Sequence, residues 1–252
     1  MRATTRTLVS RSALWKPAGF INGNWISASS SEATFDVCNP ASGEVLAQLP
    51  AMDVSHVEEA SKAADAAWKK WKTRTCKERS AIIGKMAHLM KTSSDDLAEI
   101  ITLESGKPLA EAKGEVGYAL SFYEYYAEEA KRMRGDVIPH PVNGRRLLAV
   151  KESVGPAGII TPWNFPSAMI TRKAGAALAT GCPVVIKPSE ETPLSALALC
   201  AIAEEAGVPP GVMNCVPVAR AQAAAVGEAL CTSKYIRKVS FTGSTAVGKL
   251  LP

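Results

Sequence analysis

Three short segments carry side chains suited to chemistry, and each begins where an apolar, β-rich run gives way to polar residues. The first is Ser240-Phe241-Thr242-Gly243-Ser244-Thr245-Ala246-Val247-Gly248-Lys249. Glycines and hydroxyls between a strand and a helix would turn free backbone N–H groups toward a pyrophosphate. The pattern departs from GxGxxG because Thr245 stands where the second glycine would be, and an ordinary capped helix would read the same way. The second segment is Ile186-Lys187-Pro188-Ser189-Glu190. An acid at a strand end can accept ribose hydroxyls and repel a 2′-phosphate, with a lysine beside it donating to the same sugar; a solvated ion pair is the alternative. The third is Thr161-Pro162-Trp163-Asn164-Phe165-Pro166, where two prolines stiffen the backbone around Asn164. A rigidly held amide is what an oxyanion hole needs, although a stiff turn bonded to its own backbone has the same sequence.

Chemistry at these places requires a scaffold that ends its strands there. From Arg145 on, short β-rich runs alternate with helical patterns: strands over 147–150, 157–160, 183–186, 212–216 and 237–241. Helices are expected over 167–180, 192–206 and 219–230, with a last one beginning near Ser244. Such alternation implies right-handed βαβ units and a doubly wound parallel, Rossmann-like α/β sheet. Small β elements and helices precede it. Asn22-Gly23 between apolar arms reads as a hairpin, and Asn39–Gly43 as a second turn. Asp53 and Ser94 are expected to cap helices, and Pro108 to open one that runs to about Met133. The aromatic residues Tyr118, Phe122, Tyr125 and Tyr126 in that helix read as core packing. After the strand at 237–241 few residues remain, so the sheet is expected to be incomplete at its C-terminal end.

Composition narrows the field. The hydrophobic fraction of 47% suits a packed core, and no apolar run is long enough for a membrane span. The net charge is +5, but Arg2, Arg6, Arg11 and Lys16 supply most of it before the first acid, Glu32. The remaining bases are mixed with acids, which argues against a nucleic-acid partner. Residues 1–17, rich in Arg, Ser and Thr without a continuous apolar core, read as a transit-peptide-like, unordered segment, most simply mitochondrial. A chloroplast address or a plain cytosolic tail would have a similar composition. The six cysteines form no CxxC pair and the three histidines are far apart, so neither a metal site nor a disulfide framework is expected.

Pro162–Pro166, Lys187–Glu190 and Phe241–Gly248, in this order, resemble the aldehyde dehydrogenase superfamily, and the resemblance runs from about Phe20 to the end. Asn22-Gly23-Asn24-Trp25, Glu104 through Leu109, Ala168 through Lys173 and Val226 through Ala229 look like the succinate-semialdehyde dehydrogenases within it. The resemblance implies that residues 18–252 are the N-terminal NAD-binding domain. It also implies NAD-dependent oxidation of an aldehyde to an acid, most simply succinate semialdehyde to succinate in 4-aminobutyrate degradation. By family, Thr161, Pro162, Trp163, Lys187, Pro188, Ser189, Glu190, Gly243, Ser244, Thr245 and Gly248 would hold NAD. Asn164 would stabilise the oxyanion, Lys173 would lie near the catalytic centre, and Arg172 would bind the substrate's distal carboxylate. Relatives of this kind are homotetramers, and a mitochondrial matrix location is expected. The nucleophilic cysteine and general-base glutamate are expected beyond Pro252. The chain alone would then be inactive, and the alternative is a non-catalytic NAD-binding fragment or an interfering subunit.

Overall fold

The computed structural model describes residues 12–28 and 33–251. It opens with the expected hairpin, β1 (Gly19–Ile21) against β2 (Asn24–Ile26). Asn22 and Gly23 both take positive φ, 53° and 79°, the left-handed geometry that makes Asn-Gly a tight turn. A second ribbon pairs β3 (Thr34–Cys38) with β4 (Val45–Pro50). Four helices follow: α1 (Val54–Trp71), α2 (Cys76–Thr92), α3 (Ser94–Ser105) and α4 (Leu109–Glu129). Asp53 caps α1 through the Ser55 and His56 N–H groups, and Thr75 and Glu78 cap α2 reciprocally. Ser94 does not cap α3. It is the first helical residue, and Ser93 occupies the cap position without a side-chain bond. The reason is the short junction: Ser93 still donates its N–H to Leu89 as the end of α2, so it is not set up as a cap.

The strand expected over 147–150 is β6 (Arg146–Ala149), but it does not join the parallel array. It pairs with β5 (Asp136–Pro139), a strand the sequence reading did not anticipate, in a two-stranded ribbon whose residues are all exposed. The alternation proper starts at β7 (Ala157–Ile160) and continues through α5 (Ala168–Ala179), β8 (Val184–Lys187) and α6 (Pro193–Ala206). Then come β9 (Met213–Cys215), α7 (Ala223–Thr232), β10 (Lys238–Phe241) and α8 (Thr245–Leu250). The sheet order is β10-β7-β8-β9-β1-β2, with β10, β7, β8 and β9 parallel. The N-terminal hairpin is therefore part of this sheet, because Phe20 pairs antiparallel with Cys215.

Each face of the sheet has its own core, because side chains alternate along a strand. Ala157, Ile159, Val184 and Ile186 pack with Trp71 at the end of α1 and with apolar residues of α2 through α6, including Ile83, Ile100 and Tyr123. Ile160 and Val185 pack on the other face with Val57 and Ala64 of α1 and Val226 and Leu230 of α7. Residues 12–17 depart from the unordered segment expected for 1–17. Leu14 is buried, Trp15 packs against the larger core, and Ser12 Oγ donates to Asp96 at 2.6 Å. Apolar Leu14 and Trp15 supply contacts that the basic composition of the segment as a whole conceals. The transit-like expectation for 1–11 lies outside the described residues. Among the described residues no helix is long and apolar enough to cross a membrane.

Candidate nucleotide cleft and the loop beside it

Helix α5 follows β7 on one face of the sheet, whereas α7 precedes β10 on the other. The winding thus reverses between β7 and β10, and open α/β sheets form a crevice at such a point, beyond the strands' carboxyl ends. A cleft of about 690 Å³ lies there. Thr161 and Pro162 line it from the end of β7, Lys187, Ser189 and Glu190 from β8, and Gly243 and Ser244 from β10. The Thr161 N–H donates to the Lys187 carbonyl and the Thr242 N–H to that of Ile160, so the three strand ends are tied together.

Lys187 is buried, and its Nζ lies 3.5 Å from Glu190 Oε2. Burial pulls the lysine pKa below its usual range, and Glu190 opposes that shift. Ser244 Oγ accepts from the Val247 N–H at 3.3 Å and so caps α8. A Cβ at Gly243 would sit 2.5 Å from the Phe241 ring, so any larger residue there would have to displace that ring. Four residues expected at the cofactor do not line this cleft. Trp163 borders a smaller neighbouring cleft of about 420 Å³, and Pro188 is buried at the strand end. Thr245 opens α8, and Gly248 packs beside Phe241.

Asn164 sits in an exposed loop between β7 and α5. Its carbonyl accepts from Lys107 Nζ at 2.9 Å, while its side-chain amide makes no hydrogen bond among the described residues. The amide is therefore available, which is not what a turn stiffened by its own Asn would show. Lys107 also lies 4.2 Å over the Phe165 ring and pairs with Glu115. Glu115 is buried and accepts from the N–H groups of Ser167, at 2.9 Å, and Ala168, capping α5. The second half of the loop is thus held by one ion pair, Lys107 just before α4 reaching Asn164 and Phe165 and Glu115 of α4 reaching the start of α5. The sequence reading missed Glu115, although a signal exists: an acid interrupts the apolar stripe Ala112, Val116, Ala119, Tyr123 at helical spacing.

Arg172 and Lys173 line a third cleft, of about 510 Å³, with Tyr118, Phe122, Tyr126 and Ser240. Ile159 lines it, whereas Ile160 lines the first cleft, so the two open on opposite faces of β7. The reading of those aromatics as core holds for Phe122 and Tyr126, which pack against the larger core, and is corrected for Tyr118 and Tyr125. Tyr118 and Tyr125 are exposed, Phe122 and Tyr126 are half-buried, and Tyr123 is the buried ring of α4. The stripe is rotated because the small residues Ala112 and Ala119, with Tyr123, face inward. Lys173 Nζ donates to Ser240 Oγ at 2.9 Å, and burial and then neighbouring Arg172 lower its pKa. Arg172 is exposed and pairs with no carboxylate among the described residues; its one hydrogen bond there is to Met169 Sδ at 3.7 Å.

These features define a doubly wound domain with a cleft at its switch point and an unoccupied asparagine amide nearby. Family comparison goes further: residues 25–251 match the model of the aldehyde dehydrogenase family, and the chain belongs to that family. It is 51% identical over 239 residues to human mitochondrial succinate-semialdehyde dehydrogenase, which covers 95% of this chain and 44% of the relative. It is 50% identical to the succinate-semialdehyde dehydrogenase (NADP(+)) of Escherichia coli strain K12, over 95% of this chain and 49% of the relative. The crystal structure of succinate-semialdehyde dehydrogenase from Burkholderia pseudomallei superposes with a TM-score of 0.91 at 48% identity, covering 99% of this chain and 50% of that one. The chain thus spans about half the length of the curated relatives it matches.

Proposed function

We propose that the cleft between β7 and β10 binds NAD, and that the protein to which this chain belongs oxidises succinate semialdehyde to succinate. The observation that carries the reading is the convergence of Thr161, Lys187, Glu190, Gly243 and Ser244 on that one cleft. The donors fit the adenosine and pyrophosphate parts of a dinucleotide. Glu190 and Lys187 would serve as acceptor and donor for ribose hydroxyls, and Ser244 and the adjoining backbone would hold the phosphates. NAD, when bound, accepts the hydride. Asn164 donates its free amide to the aldehyde oxygen as negative charge gathers there, a contact typically worth roughly 2.7–4 kcal/mol in the barrier. Arg172, with no carboxylate partner among the described residues, pairs with the substrate's distal carboxylate. Lys173 sits beside it as a lysine whose proton is loosened by burial. The nucleophilic cysteine and general-base glutamate of the family chemistry are expected outside these 252 residues.

The names of the human and Burkholderia relatives support the substrate, and the human one supports a mitochondrial location together with the basic N-terminal segment. Val137 and Leu148 on one face of the β5–β6 ribbon and Ile138 and Leu147 on the other are exposed apolar pairs that self-association would cover, in keeping with a homo-oligomer. The test is thermal unfolding of the 252-residue chain with and without millimolar NAD. A ligand that binds only the folded state adds RT ln(1 + [L]/Kd), roughly 2.7 kcal/mol at a hundredfold excess over Kd. The expected result is a cooperative transition raised by NAD and not raised in Lys187→Met. A cooperative transition indifferent to NAD would overturn the reading.

A further inference from the structure

The wall between the first cleft and its smaller neighbour is made by three residues that line both: Ser189, Glu190 and Arg220. Arg220 stands at the turn before α7. Four charged side chains line the first cleft: Lys187, Glu190, Arg220 and Glu228. Lys187 is already engaged by Glu190. Arg220 is differently placed. Its partner Glu191 does not line the first cleft, the pair is 3.8 Å apart, and the two side chains are 85% and 61% exposed. An ion pair that long and that solvated is weak and opens readily to a better acceptor.

The inference rests on the reading of this cleft as a dinucleotide site with Lys187 and Glu190 at the adenosine ribose. Because Glu190 lines both clefts, a sugar held by it would lie against the shared wall, with the neighbouring cleft of about 420 Å³ behind it. We infer that Arg220 is a cofactor-specificity residue, the guanidinium through which the cleft admits a 2′-phosphorylated dinucleotide alongside the unphosphorylated one. Glu190 and Glu191 oppose a 2′-phosphate by like charge, and Arg220 offsets them with a fork geometry that matches phosphate. Ser189, with its hydroxyl at the same wall, is a second donor. Without Arg220 the wall would meet the phosphate with Glu190 and Glu191, offset there only by the Ser189 hydroxyl, and would bind it less tightly.

Isothermal titration of the 252-residue chain with NAD and with NADP(+) tests this. Arg220→Ala is expected to weaken NADP(+) about tenfold and NAD less than about twofold, the size of a lost charge-assisted contact. Arg220→Lys should fall between, and Glu191→Gln, which frees the guanidinium and removes a repelling charge, should strengthen NADP(+) about threefold. Arg220 is almost fully exposed, so its replacement leaves the fold intact. If Arg220→Ala changes both affinities alike, or neither, the inference is overturned while the cleft reading stands. If a cooperatively melting chain binds neither dinucleotide, the cleft reading itself fails and the inference falls with it.

Discussion

Helices α5 and α6 each follow a strand of the parallel sheet, and each receives a buried glutamate at its N-terminus, yet the two acids are held differently. Glu115 accepts from Ser167 and Ala168 at the start of α5 and is paired with Lys107. Glu104 accepts from Leu194 and Ser195 at the start of α6, at 2.7 and 2.8 Å, and no cation pairs with it among the described residues. Both use the positive end of a helix to compensate a buried carboxyl. The difference lies in what the cation adds. At α5 it adds an ion pair and extends the hold to the carbonyl of Asn164 and the ring of Phe165. At α6, whose entering loop carries the cofactor candidates Ser189 and Glu190, no cation is added, and burial pushes the Glu104 carboxyl up to about 8. One entry is thus tied to its loop through a cation, and the other is held through helix N–H groups alone.

The harshest way to break this comparison is to remove one member of the α5 pair. Glu115→Ala leaves a largely buried ammonium and two unbonded N–H groups, and is expected to cost about 3–5 kcal/mol in urea unfolding. Replacing both partners, Lys107→Met with Glu115→Leu, should cost less than the single change, because no uncompensated charge stays inside. A double variant as unstable as Glu115→Ala would mean that the glutamate acts as a cap and that Lys107 contributes nothing.

The α6 entry answers to pH instead. The folded pKa of Glu104 is raised from 4.5 to about 8, so the folded state binds the proton more tightly than the unfolded chain does. Its stabilising contribution is full below about pH 4.5 and is lost as pH rises through about 8. Relative to Glu104→Gln, which stays neutral, the native chain should lose on the order of 1–3 kcal/mol across that window. Melting curves that run parallel from pH 4.5 to 8.5 would show that the helix end and its two N–H groups outweigh desolvation and keep Glu104 ionised.

Much of this architecture was legible in the chain. Strand ends at 160, 187 and 241 could be read from β-branched runs meeting glycine, proline and hydroxyl residues, and those ends are where the cleft opens. What escaped were contacts between elements far apart in sequence. β5 carries only Val137 and Ile138 between polar or turn residues, and its pairing with β6 depends on closure of the loop between them. The antiparallel pairing of Phe20 with Cys215 spans most of the chain and has no local signature. The two glutamates could have been found, since both interrupt apolar stripes: Glu115 beside Ala112, Val116 and Ala119, and Glu104 beside Leu97, Ile100 and Ile101. Their partners could not, because backbone N–H groups leave no mark in a sequence. Arg220 likewise looked like one more surface base until the topology set it on the cleft wall.

The finest test of the contrast concerns the one contact at α5 that is neither an ion pair nor a backbone bond. The Lys107 ammonium lies 4.2 Å over a half-exposed Phe165 ring, where a cation–π contact is worth about 0.5–1 kcal/mol. Phe165→Leu keeps an apolar side chain and removes the ring's electrostatic face. The change in global stability should be at the edge of detection, so amide exchange is the better measurement. The N–H of Met169 donates to the Phe165 carbonyl, and those of Ser167 and Ala168 donate to Glu115. Their protection should fall about two- to fivefold, as expected for a loss of that size, while Leu194 and Ser195 at the α6 entry keep theirs. Equal loss at both helix starts would mean that the two glutamates open as one cooperative unit, and the loop around Asn164 would then owe its shape to the whole helical layer and not to Lys107.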